Sequence, residues 1–120
     1  MSVERLHAGP RMSQAVIHGD TVYTAGQVAM SALEKDEPVS MAEQTMEILS
    51  NIDKLLAEAG TDKSKLISAT IWITDMGHFQ EMNEVWDAWV APGETPGRAC
   101  VTANLASPKL IVEIMVTAAR

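Results

Sequence analysis

Among its 120 residues the chain has one cysteine, Cys100. No disulfide can form within the chain, and a cysteine-rich metal site is excluded. Aromatic residues make up only 4%. Two of them, Trp86 and Trp89, read as packing on a helix rather than as platforms for stacked bases. Basic side chains are also scarce, 9 against 16 acidic ones, for a net charge of −7. That sign opposes attraction to phosphate backbones, so nucleic acid is not expected as a partner. No apolar run approaches the roughly 18–20 residues of a membrane span. The opening MSVERLHAGPRMSQ lacks the apolar core of a signal peptide, so a reducing, cytoplasmic setting is the expectation. Neither GxxxxGK[ST] nor GxGxxG occurs, which leaves no glycine-rich phosphate cradle.

What remains is 47% hydrophobic and 21% charged, the composition of an ordinary globular domain. Nothing splits residues 1–120, which read as a single domain able to bury roughly two-thirds of its unfolded surface. Residues 14–18 and 21–25 are β-prone runs around Gly19-Asp20, a hairpin pattern, and residues 3–6 could add a strand. Residues 30–39 read as a loop. Ser40 and Glu43 have capping-box spacing and open a helix that Gly60 ends. Met41, Ile48, Leu49, Ile52, Leu55, Leu56 and Ala59 give it one apolar stripe. Residues 66–74 (LISATIWIT) read as a strand, residues 78–90 as a second amphipathic helix, and residues 98–105 and 110–118 as two further strands. The fold class is therefore α+β, a mixed sheet with two helices packed on one face. Strand 110–118 alternates Leu110, Val112, Ile114 and Val116 with Ile111, Glu113 and Met115. Two helices cover only one such face, so a homo-oligomer is expected to bury the other.

Candidate chemistry is sparse. His7, His18 and His78 lack metal-ligand spacing, so no metal is expected. Cys100 lies two residues from Arg98, which could lower its pKa, yet a lone cysteine is more often a small buried hydrophobe. Arg98 begins an apolar strand directly after a turn-forming Gly93-Glu94-Thr95-Pro96-Gly97. Its guanidinium suits a planar carboxylate; the alternative is a salt bridge to Glu113, should the last two strands form a hairpin. Glu113, between Ile111 and Met115, is either a structural partner or a group that orients water.

Three segments carry a resemblance: Tyr23-Thr24-Ala25-Gly26-Gln27-Val28, Ala69-Thr70-Ile71-Trp72-Ile73-Thr74-Asp75 and Pro96-Gly97-Arg98-Ala99-Cys100-Val101. Together with Val112-Glu113-Ile114 they are similar to the RidA/YjgF family over nearly the whole chain. Trp86-Asp87-Ala88-Trp89-Val90 and Arg11-x-Ser13 are closer to its YoaB-like branch. The resemblance implies a chorismate-mutase-like homotrimer with ligand clefts between subunits. It also implies cofactor-free hydrolysis of reactive enamines and imines, such as 2-aminoacrylate, to 2-keto acids and ammonia. The carboxylate-binding arginine falls on Arg98 and the pocket cysteine on Cys100. The family's water-positioning glutamate falls on Met115, its pocket serine on Ala25 and its pocket tyrosine on Met12, so three polar contacts become apolar. Glu113, Arg11 or Ser13 is expected to compensate in part. A non-catalytic trimer that binds small carboxylates such as 2-keto acids is the alternative. Relatives are also named endoribonucleases, a reading that the net charge of −7 and the lack of a basic stripe oppose.

Overall fold

Ser40 caps the longest helix through its side chain. In the computed structural model, which describes residues 1–120, α1 spans Met41–Glu58 and the Ser40 hydroxyl accepts the Glu43 N–H at 3.2 Å. At the other end Gly60 adopts φ +85°, a left-handed conformation that other residues reach only with strain. The Gly60 N–H donates to Ala57 O at 3.0 Å and the Thr61 N–H to Leu56 O at 2.9 Å, a Schellman closure. The stripe read from sequence, Met41 through Ala59, is buried throughout, and Gln44 and Thr45 are buried with it. The Gln44 amide is satisfied there: it donates to Val39 O and Lys109 O and accepts the Ile111 N–H.

The second helix, α2, spans Phe79–Trp89 behind a short 3-10 turn at Met76–His78. Only Met82 and Trp86 of its apolar side are buried; Phe79, Val85 and Trp89 are half-buried at its margins. Another 3-10 turn, Met30–Glu34, stands inside the segment expected to be a plain loop, with Ala32 tucked into the core.

Six strands form one sheet: β1 (Val3–Leu6), β2 (Ala15–His18), β3 (Thr21–Thr24), β4 (Leu66–Ile73), β5 (Gly97–Thr102) and β6 (Val112–Ala119). Their order is β1-β2-β3-β6-β4-β5, antiparallel throughout except for the parallel pair β4–β5. The hairpin considered for the last two strands does not form, because β4 lies between them. The reason is burial. β6 carries Val112, Ile114, Val116 and Ala118, all buried under the helices, and only a central position covers them. β5 is exposed at all positions but Cys100 and suits an edge. A β4–α2–β5 crossover puts it there in parallel orientation.

Both helices cover the face of Val22, Ile71, Ile73, Ile114 and Val116, in agreement with the α+β reading. The opposite face is open. It carries the cross-strand pairs Trp72 with Glu113 and Thr70 with Met115, and Tyr23 beside Thr117. Tyr23, Val101 and Met115 are 46%, 45% and 39% exposed.

Candidate functional site

Alternation along the strands divides the candidate residues into two sets. Arg98 and Cys100 pair in register with Ala69 and Ile71, so they project to the helix-covered side at the sheet edge. Glu113 and Met115 pair with Trp72 and Thr70 and project to the open side, two strands away. The salt bridge between Arg98 and Glu113 considered from sequence is therefore ruled out within one chain. Arg98 instead donates through Nη1 to Asn83 Oδ1 at 2.8 Å, and its guanidinium lies 5.5 Å from the Trp86 ring centroid and 5.8 Å from that of Phe79. It makes no ion pair and remains exposed.

Cys100 is half-buried, and burial pushes its thiol above the ordinary range, only partly opposed by the Arg98 charge. The activation by Arg98 considered from sequence does not prevail, and the sulfur is held as a neutral thiol at neutral pH.

On the open side a second group gathers around Gly26. The β3–β6 ladder stops after Tyr23, where the Thr24 hydroxyl accepts the Val116 N–H at 3.0 Å in place of a backbone carbonyl. The ladder resumes with mutual bonds between Gln27 and Ile114 at 2.8 and 3.1 Å. Ala25 and Gly26 bow out between these points, and the Ala25 N–H donates to Gln14 O at 2.8 Å, beside Ser13. Buried Gln27 holds this bend by donating to Gln14 Oε1 and Ala25 O. The Glu113 carboxyl carbon rests where a β-carbon on Gly26 would lie only 2.8 Å away, so glycine alone admits it. Ser13, Ala25 and Glu113 thus share one end of the sheet, with Met115 two positions on along β6 and Arg11 and Met12 exposed in the preceding loop. No protein donor bonds the Glu113 carboxylate.

The three histidines are scattered. His7 meets Glu58 at 2.7 Å, His78 stands 3.7 Å from Glu81 and His18 ends β2. No group of three His, Cys, Asp or Glu side chains is placed to hold a metal. Two concavities of about 500 Å³ lie elsewhere, one bounded by Asp36, Ser40, Glu81 and Lys109, the other between the helices beside Met46, Val85 and Trp89. Neither includes Arg98 or Glu113. Sequence reasoning missed Asn83, which lay among the polar residues of α2, and Gln27 as the brace of the bend. A polar residue one helical turn from Phe79 and next to the Trp86 side was the available signal for the former.

The class follows from these features: an α+β protein with a six-stranded mixed sheet, two helices on one face, an edge arginine on the helix side and an acidic group on the open face. Residues 3–120 match the family model described as Endoribonuclease L-PSP. A RutC family protein of Haemophilus ducreyi is 42% identical, covering 98% of this chain and 96% of its own. RutC family protein YoaB of Escherichia coli is 39% identical over 99% of both. NMB1025 of Neisseria meningitidis, a YjgF-family crystal structure, superposes with TM-score 0.91 and 43% identity over 100% of this chain and 96% of that one. The chain belongs to the RutC/YjgF (Rid) family, and it is YoaB-like within it.

Proposed function

We propose that the protein hydrolyses reactive imino acids, the tautomers of 2-aminoacrylate-type enamines, to 2-keto acids and ammonia, using no metal and no cofactor. The observation that carries this reading is the exposed Arg98, ordered by Asn83 and two aromatic rings yet free of any acidic partner. A guanidinium so held binds a substrate carboxylate through its remaining donors and fixes the adjacent C=N carbon. The carbon of a protonated imine is already electrophilic. Water adds to it, the C=N electron pair moves to nitrogen, and the tetrahedral carbinolamine expels ammonia to leave the keto acid. Backbone groups near Cys100 contact the substrate nitrogen, while the neutral thiol lines the pocket.

No carboxylate of the chain lies within ion-pair distance of Arg98 to align the water. In this reading the protein is a homotrimer that buries the open face around Tyr23 and Met115, and Glu113 of the partner subunit, with Ser13 and Arg11 near it, completes the cleft. Ala25, Met12 and Met115 make that wall apolar, which favours imino acids with larger aliphatic side chains over 2-aminoacrylate itself. The net charge of −7 opposes RNA as the substrate. The apolar Met115 at the glutamate position also favours a second reading, a trimer that binds 2-keto acids without turnover.

Imino acids generated by an amino-acid oxidase and trapped with semicarbazide test the proposal. The protein is expected to suppress semicarbazone formation, most for aliphatic side chains, and Arg98→Ala to abolish that suppression. No suppression with any side chain, alongside 2-keto acid binding lost in Arg98→Ala, would replace catalysis by the second reading.

A further inference from the structure

Arg98 stands on the surface at a sheet edge, where an arginine side chain samples many rotamers unless something holds it. Three contacts hold it: the Asn83 carbonyl oxygen at 2.8 Å and the Trp86 and Phe79 rings beneath the guanidinium. Asn83 is itself oriented. Its amide nitrogen donates to Gln80 Oε1 at 3.2 Å, which turns the oxygen toward Arg98. Trp86, 4% exposed, anchors the floor. Phe79, Asn83 and Trp86 recur at one-turn spacing, and Gln80 lies one turn before Asn83, so a single side of the helix presents the whole support.

The chemistry of the contact matters as much as its geometry. The same helix carries Glu81, Glu84 and Asp87, yet none pairs with Arg98. A carboxylate in the place of Asn83 would cancel the guanidinium charge and compete with an anionic ligand. A neutral amide orients the group and leaves both its charge and most of its five donors free.

Resting on the reading that Arg98 receives the substrate carboxylate, we propose that Asn83 is its positioning residue: a neutral acceptor, locked by Gln80, that pre-orders Arg98 for a carboxylate ligand. Pre-ordering improves binding by removing the loss of side-chain freedom on association.

The test is the Kd of the whole protein for 2-oxobutyrate by calorimetry, which requires no turnover, with circular dichroism and melting temperature as checks of folding. Asn83→Ala is expected to weaken binding about tenfold, the scale of one hydrogen bond to a charged group. Asn83→Asp, nearly isosteric, is expected to weaken it further because it supplies a competing charge. Gln80→Ala should fall between Asn83→Ala and the parent protein. A purely structural Asn83 would give the reverse order, with Asp tolerated and Ala damaging, and that order overturns the proposal. Should Asn83→Ala fail to fold, Asn83→Ser against Asn83→Asp makes the same comparison. Parent-like binding by Asn83→Ala, with binding lost in Arg98→Ala, would refute the role of Asn83 alone. Binding that is absent from the parent protein or unchanged in Arg98→Ala would refute the carboxylate anchor itself, and this inference with it.

Discussion

Alanine at Gly26 should push Glu113 out of its seat, and the cost can be worked from the geometry. The new β-carbon would lie 2.8 Å from the Glu113 carboxyl carbon and closer still to Oε2, where real β-carbon contacts essentially never fall below 3.0 Å. The obstacle is the far end of a flexible side chain rather than backbone, so Glu113 can rotate away instead of forcing β3 off β6. Turning that side chain out of its preferred rotamer costs about 0.5–1.5 kcal/mol. Restricting the unfolded chain with alanine returns about 0.4–1 kcal/mol. The net loss is at most about 1 kcal/mol, or about 4 °C in melting temperature for a chain of this length. Urea or thermal denaturation at one fixed protein concentration measures it. Glu113→Ala alone should cost less than about 1 kcal/mol, because no protein donor is left without a partner. In the double variant Gly26→Ala/Glu113→Ala the clash vanishes, so the two costs should fail to add by about 0.5–1.5 kcal/mol. Strict additivity would refute the claim that the carboxylate is seated on Gly26.

The raised thiol pKa of Cys100 predicts slow iodoacetamide alkylation at pH 7, with a rate that climbs only above the ordinary thiol range; Arg98→Ala should shift that climb to still higher pH, because it removes the charge favouring thiolate. Fast alkylation at neutral pH would contradict the assignment. Ser40→Ala should cost about 1 kcal/mol in denaturation, the loss of one helix cap. Thr24→Val removes the acceptor of the buried Val116 N–H and should cost about 1–3 kcal/mol, whereas Thr24→Ser should retain most of the stability.

The sequence was most legible where local chemistry decides structure. Ser40, Gly60 and the stripe between them specify α1 without reference to the rest of the chain, and Gly19-Asp20 specifies the first hairpin. The alternation of Val112, Ile114 and Val116 with Glu113 and Met115 divided β6 into two faces, and the helices cover only the first. Strand order was not legible, because pairing is settled by which strand most needs cover, a comparison between segments distant in the chain. The Arg98–Glu113 pair, an alternative conditional on β5 lying beside β6, falls with that pairing, while the actual partner of Arg98, Asn83, comes from the preceding helix. Family resemblance named Arg98 and Cys100 together, and alternation on β5 places them on one face. It also named Ala25 and Met115, but only the fold reveals that these lie across the sheet from Arg98. The bend at residues 24–27 depends on a hydroxyl substituting for a carbonyl in the ladder, a detail no hydrophobic pattern encodes.

Mixing two defective proteins tests most directly whether the site is shared between chains. Arg98→Ala and Glu113→Ala subunits, each impaired in imino-acid hydrolysis alone, would be co-refolded in equal amounts and assayed together. If each cleft takes Arg98 from one subunit and Glu113 from the next, random assembly restores about a quarter of the clefts, and about that share of the parent rate should return. No recovery beyond the sum of the separate variants, from oligomers shown to be mixed, would contradict a cleft built from two chains.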